Sequence, residues 1–223
     1  PVQAGGNYGN SAVNIQPDNI PAGSQGNKVS TNSVVVGYGN DTQTGANGNG
    51  HIAYGAGNTA TNESSLAVGN SNSATGKSTS AIGVGNTASA EASVALGNAN
   101  TASGDRSIAI GSGAEATKAE TIAAGRKAKA TGDYSIALGT ETEASKNNAV
   151  AIGRVSKATG TSATAIGVNN KAQADDSSAV GSSNTIAAAA TQASAFGREN
   201  TVNRGGTIAA GYKNTTDGDR NVA

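Results

Sequence analysis

The sequence predicts an all-β parallel solenoid built from fourteen-residue coils. Three observations lead there. A short motif ending in glycine recurs at constant spacing, the residues around it alternate with a period of two, and proline is missing from the repeated region. The motif is a small polar residue, an aliphatic, Ala, an aliphatic and Gly, as in Ser65-Leu66-Ala67-Val68-Gly69, Ser93-Val94-Ala95-Leu96-Gly97 and Ser135-Ile136-Ala137-Leu138-Gly139. Its anchor glycines are Gly37, Gly55, Gly69, Gly83, Gly97, Gly111, Gly125, Gly139, Gly153, Gly167, Gly181, Gly197 and Gly211. From Gly55 to Gly181 every step is fourteen residues; the step before is eighteen, and those after are sixteen and fourteen.

Other columns repeat with the anchor. Two residues before it stands Ala in twelve of thirteen coils, Val35 being the exception; three after it stands Asn in nine, and five after it Ala in nine. A spacing of two is the period of a strand. Each coil therefore reads as two short strands joined by turns containing Gly and Asn. Fourteen residues leave no room for a crossover helix, so each strand pairs with its equivalent in the next coil. Proline occurs only at 1, 17 and 21, leaving the ladder uninterrupted.

Composition fits a stack of thin coils. Aromatics are 3% of the chain, with a single Phe (Phe196) and no Trp, while Gly numbers 32. Such a composition suggests disorder in the absence of periodicity, and regular spacing overturns that default. Organisation follows from the repeat: residues 1–32 lack it and read as an N-terminal cap, 33–216 carry it, and 217–223 form a tail pointing toward a neck or stalk that this sequence lacks. The extra residues between Gly37 and Gly55 predict a surface loop, and Ile186–Thr191 a second one.

The first strand predicts association. Aliphatics sit three and one before the anchor, and Ala and Gly occupy the alternate positions, so both faces call for burial. A coil has one interior, and a second copy of the chain is the simplest cover for the other face. Because sheets pack about 10 Å apart, large side chains opposite small ones fill the gap best. This reasoning places Val and Ile inside the roll against Ala, with the Ala and Gly face between subunits; the reverse assignment stays open. The second strand is polar two and four after the anchor, as in Lys127 and Lys129 or Glu141 and Glu143, and these residues face water. Stacked coils set Glu115 over Lys129, and Glu143 between Lys129 and Lys157, with Lys127 and Glu141 repeating the pattern. The Asn column three after the anchor suits either an amide ladder or a plain turn role.

The Ser-aliphatic-Ala-aliphatic-Gly motif at period fourteen resembles the YadA-like head repeat of trimeric autotransporter adhesins, over roughly residues 33–216. The resemblance implies a left-handed parallel β-roll, a homotrimer around one axis, and a place on the outer surface of a Gram-negative cell. The head would be held in the outer membrane only through a C-terminal anchor missing from this sequence. It also implies adhesion to host matrix proteins, cells or abiotic surfaces, and roles in virulence and biofilm.

Little chemistry competes with that reading. Fifteen basic and fifteen acidic residues balance, with no basic stripe for nucleic acid. Cys is absent, which removes disulfides and thiolate metal sites. The single His, His51, cannot supply a two-histidine metal site and reads as a surface residue. Acidic residues such as Asp105, Asp133 and Asp175 are scattered and select no catalytic pair. Gly-x-Gly pieces such as Gly83–Gly85 repeat with the coil and precede no helix, unlike phosphate loops. Tyr38, Tyr54, Tyr134 and Tyr212 read as surface or turn residues. No catalytic residue, cofactor or metal is therefore expected.

The expected function is non-catalytic, multivalent binding, with Lys127, Lys129, Lys157 and Lys171 on the exposed strand and Asn47 and Asn49 in the loop as candidate contacts. Three alternatives are weighed against it. One is a structural spacer that projects another adhesive region. A carbohydrate-active solenoid enzyme would need an aromatic, acidic groove. An ice-binding face would need a regular Thr array, and the column of Thr59, Thr87 and Thr101 is interrupted by Ser73 and by charge from Glu115 onward.

Overall fold

The structure, a computed structural model, describes residues 12–17, 25–43, 50–220 and 222–223. It is an all-β parallel solenoid, and the chain divides into two compact units, Pro1–Ser112 and Gly113–Ala223.

In the first unit the long strands are β1 (Val13–Ile15), β2 (Val34–Tyr38), β3 (Ile52–Ala56), β5 (Leu66–Asn70), β7 (Ser80–Val84), β9 (Val94–Asn98) and β11 (Ile108–Ser112). The short strands are β4 (Thr59–Ala60), β6 (Ser73–Ala74), β8 (Thr87–Ala88) and β10 (Thr101–Ala102). Long pairs with long and short with short, always parallel and residue for residue at the repeat spacing: Gly69 lies beside Gly83, and Thr87 beside Thr101.

The second unit repeats the plan. Its short strands are β12 (Glu115–Ala116), β14 (Lys129–Ala130), β16 (Glu143–Ala144), β18 (Lys157–Ala158), β20 (Lys171–Ala172), β22 (Thr185–Ile186), β24 (Thr201–Val202) and β26 (Thr215–Thr216). Its long strands are β13 (Ile122–Arg126), β15 (Ile136–Thr140), β17 (Val150–Arg154), β19 (Thr164–Val168), β21 (Ser178–Ser182), β23 (Ser194–Arg198) and β25 (Ile208–Tyr212). Register is again in step, with Ala151 beside Ala165 and Glu143 beside Lys157.

Each coil turns at two left-handed corners and bends at the anchor glycine inside its long strand. Residues two after the anchor have φ near +55°, as at Ser71, Lys127 and Glu141, and so do residues five before it, as at Ser64, Glu120 and Asp176. Side chains tolerate that region at modest cost, least well when β-branched. Val155, at φ 59, is the β-branched occupant of such a corner. Val155→Asn is expected to stabilise the fold by about 1 kcal/mol, read as a higher denaturant midpoint at unchanged slope. The anchor position is stricter: its φ runs from 112 to 134, outside the left-handed well open to side chains, and only Gly occupies it.

The interior reverses the expected packing. Ala two before and Ala five after the anchor are fully buried, as at Ala67, Ala95, Ala137, Ala74 and Ala144. So are the small polar residues four before it, such as Ser65, Thr79 and Thr121. The large apolar residues point out: Val34 is 40% exposed, Leu96 40%, Ile110 39% and Phe196 43%. The cause is the length of the connectors. Ser71–Asn72 alone joins β5 to β6, and residues 75–79 join β6 to β7. Links this short leave room for small side chains between the two strands, and Ala against Ala with flanking Asn and Ser fills the space. The Ala face is therefore the core, and the Val and Ile face is the outer one.

His51 is a second reversal. It stands in the column four before the anchor, where Ser or Thr is usual, and it is fully buried rather than on the surface, with Nδ1 3.1 Å from Ser65 Oγ. The sixteen-residue coil after Gly181 holds the largest buried side chain, Ile186, in place of Ala. Its two extra residues form a tight turn, with Ala190 buried and its N–H donating to the Ala187 carbonyl at 2.9 Å, rather than a projecting loop. The loop expected between Gly37 and Gly55 falls on residues 44–49, outside the described residues.

The Asn column forms an amide ladder. In the first unit, Asn72 Nδ2 donates to Asn58 Oδ1 at 3.0 Å, Asn86 to Asn72 at 3.0 Å and Asn100 to Asn86 at 2.9 Å. Each Oδ1 also accepts the next Asn backbone N–H, and each Nδ2 reaches the neighbouring anchor-glycine carbonyl. In the second unit Asn170, Asn184, Asn200 and Asn214 do the same. Buried amides thus satisfy one another and tie coil to coil. The coil register also begins before the first anchor glycine. Val13–Ile15 pairs with Val34–Val36, and Asn27 Oδ1 accepts the Asn40 N–H at 3.1 Å, as a ladder Asn would.

Candidate functional site

With the interior filled by Ala, Ser, Thr and Asn, whatever the protein binds must meet its outer surfaces. Two are built by the repeat. The first is the outer face of the long strands. Alternation turns the residues three and one before the anchor outward, giving in the first unit Ile52, Tyr54, Val94, Leu96, Ile108 and Ile110, and in the second Ile136, Leu138, Val150, Ile152 and Ile166. Single exposed aliphatics on a surface are ordinary. The column one before the anchor is apolar coil after coil, and the one three before it is interrupted only by Ser80, Thr164, Ser178 and Ser194; together they make an apolar face, which marks an interaction surface.

The second surface is carried by the short strands. In the first unit the short strands carry Thr59, Ser73, Thr87 and Thr101 four after the anchor, all uncharged, while Asp41, four after Gly37 and bridged to Thr59, pairs with Lys28 at 3.3 Å. In the second unit the same column reads Glu115, Lys129, Glu143, Lys157 and Lys171, stacked in register on adjacent strands. Lys129 Nζ lies 3.0 Å from Glu115, and Lys157 Nζ 2.9 Å from Glu143. Both are part-exposed pairs, each worth a fraction of a kcal/mol to about 1 kcal/mol. Two after the anchor, Lys127 and Glu141 hold left-handed corners. Glu141 is taken by Arg126 Nη2 at 2.7 Å, where Lys127 was expected. Arg126 follows the anchor directly, and its longer fork reaches across the corner.

Of the candidate contacts, the structure brings Lys127, Lys129, Lys157 and Lys171 onto one strip of the second unit. Lys129 and Lys157 are each matched by a glutamate, and Lys171 lies beside Lys157. Asn47 and Asn49 lie outside the described residues.

A smaller charged cluster, which sequence reading did not single out, sits on β23, β25 and the corners after them. Arg198 and Lys213 lie 5.5 and 5.1 Å from the Tyr212 ring centre, and both pair with Glu199. A hydrogen bond to Tyr212 and the nearby Glu199 raise the Lys213 pKa above its ordinary value. Its signal in sequence was the recurrence of a basic residue near the anchor in successive coils, Arg198 and Lys213. Nothing in the pattern distinguished these from ordinary surface charge.

No three His, Cys, Asp or Glu side chains among the described residues come together as metal ligands. His51 is enclosed in the coil interior beside Ser65 rather than at a surface a substrate could reach.

Comparison with known proteins bears on the repeat itself. The family described as the YadA head domain repeat (2 copies) matches residues 74–100, 88–114, 116–142, 130–156 and 158–184. Successive matches are offset by one coil or by more. No curated protein matches the chain.

Proposed function

Because coils between residues 74 and 184 match the YadA head domain repeat family, we propose that the chain is the adhesive head of a trimeric autotransporter adhesin. In this reading three copies pack their outward aliphatic columns together, and the assembly stands on the outer surface of a bacterial cell. The apolar face of the long strands carries the proposal. It lies on the outside of a roll whose own core is already complete, so only another molecule can cover it. A second copy presents the same columns at the same coil spacing and suits such a face.

The short-strand surfaces then face outward on all three chains. A ligand that touches the strip of Lys127, Lys129, Lys157 and Lys171, or Asn47 and Asn49, meets it three times. Weak single contacts become strong together when they share one scaffold. Host matrix proteins, cells and abiotic surfaces are the ligands of this reading. Virulence, biofilm growth and outer-membrane anchoring belong to it as well. A projecting spacer is the second reading, favoured by the pairing of Lys129 and Lys157 with glutamates, which leaves little uncompensated charge for a ligand.

Binding of the purified chain to immobilised matrix proteins and to plastic separates the two. An adhesive head binds at least one of them, whereas a spacer binds none. Ile152→Asp places a charge on the outward column without entering the core. It is expected to keep the β circular dichroism spectrum and to lose at least about tenfold in apparent binding, since one chain replaces three. An unchanged binding curve would count against the multivalent reading.

A further inference from the structure

The charged strip of the second unit is complementary to itself. We infer that two copies of this chain pair through it, face to face with their coil axes antiparallel. The basis is the order of charges on adjacent short strands: Glu115, Lys129, Glu143 and Lys157, each one coil from the next.

Consider a twofold axis lying along the strand direction, midway between Lys129 and Glu143. It turns the strip over and reverses its coil order while keeping each column on itself. Glu115 then faces Lys157 of the other copy, and Lys129 faces Glu143, each twice by symmetry. All four facing contacts join opposite charges, and Lys171, beside Lys157 at the end of the column, lies outside the four. Along the column the neighbours are opposite too, with Glu115 and Lys129 3.0 Å apart and Glu143 and Lys157 2.9 Å apart. The joined strips therefore form a checkerboard. Residues six after the anchor on this face are Thr117, Thr131, Ser145 and Thr159, short enough to let the two surfaces approach.

The pattern also selects against other arrangements. Parallel copies in register would set Glu115 on Glu115 and Lys129 on Lys129, and like charges facing each other are costly. An isologous pair of this kind closes on itself and stops at two. The strip lies on the short strands, apart from the aliphatic face, so this pairing is available whether or not the aliphatic face is covered. It goes beyond the adhesive reading by naming a partner, a second head approaching from the opposite direction, as heads on facing cells would.

Exposed ion pairs are individually weak and screened by salt, which sets the test. The mass of the purified chain is measured by sedimentation at high protein concentration, in about 0.01 M and about 1 M salt, between which the screening length falls roughly tenfold. High salt gives the mass of the basic particle, whether one chain or three. Pairing predicts larger particles in low salt, beginning with twice that mass. A mass independent of salt overturns the proposal and leaves the trimer reading untouched.

Charge reversal identifies the surface. Lys129→Glu turns the two central contacts of the pair into carboxylate against carboxylate, because the substituted position still faces Glu143 of the other copy. Glu143→Lys turns the same two contacts into ammonium against ammonium, facing Lys129. Each variant alone is expected to lose the low-salt doubling. Mixed together they face a carboxylate against an ammonium at every position of the column and are expected to regain it, which also shows that both fold. Doubling that survives in either single variant, or a mixture that does not recover, contradicts the assignment.

Discussion

Gly153→Ala is expected to destabilise the fold by at least about 3 kcal/mol, the range of mutations that force backbone to move. Two effects combine. Gly153 has φ 118, which an L side chain reaches only under strain. A Cβ there would also run into the backbone carbonyl of Gly167 in the next coil. The obstacle is main chain held in a parallel ladder, so a rotamer change cannot relieve it. The same collision recurs from coil to coil, as at Gly69 against Gly83, which explains why the anchor column accepts only Gly. Ser183→Ala is the control. Ser183 also has a positive φ, 56, but Ala99 already occupies the equivalent corner at φ 53. Its cost is expected to stay within about 0.5 kcal/mol. Denaturant midpoints of the two variants beside the parent chain check the contrast, and equal losses would contradict it.

Asn86→Ala is expected to cost about 3 kcal/mol, since each orphaned buried polar group costs about 1–3 kcal/mol. Asn86 Oδ1 accepts the backbone N–H of Asn100 at 3.0 Å and its Nδ2 at 2.9 Å, while Asn86 Nδ2 donates to Asn72 Oδ1 and to the Gly97 carbonyl. Removing it strips the fully buried Asn100 amide of this acceptor. Asn203→Ala, which removes an exposed contact to Asp217, is expected to change stability by no more than about 0.5 kcal/mol. Thermal or urea unfolding followed by circular dichroism distinguishes them.

The same physics accounts for how the ladder column departs from Asn. Ala114, Ala128, Thr142 and Ser156 are consecutive occupants in the second unit, not scattered ones. A lone Ala leaves both neighbours unpaired, whereas a block of non-Asn residues confines the loss to its ends. At one end Ser156 Oγ stands in for the missing amide, donating to the Gly167 carbonyl at 3.0 Å.

The repeat made much of this architecture readable in advance. Period, parallel pairing and residue-for-residue register follow from columns that recur at fourteen, because a stacked strand must meet its own equivalent. The Glu115–Lys129 and Glu143–Lys157 pairs were legible for that reason. Which face is inside was not. When both alternating sets are apolar, the pattern has the right period and no sign, and shifting by one residue exchanges the faces. Connector length decides it, and that is a property of the closed coil rather than of either strand. His51 was missed for the same reason, since its place in the inward column carries no sign until the faces are assigned. The coil register at Val13–Ile15 was hidden because Asn14 and Gln16 stand where Ala and Gly mark the other coils. The candidate surface was legible as a strip of charges, but the capture of Glu141 by Arg126 depends on side-chain reach around a corner, which spacing along the chain does not encode.

Coverage of the outward aliphatic face by other copies of the chain, as proposed, fixes the mass of the particle in solution. The most direct test is the mass of the purified protein by light scattering in high salt, where pairing through charges is suppressed, with far-ultraviolet circular dichroism on the same sample. A β spectrum with the mass of three chains is the predicted result. A β spectrum with the mass of one chain would contradict it.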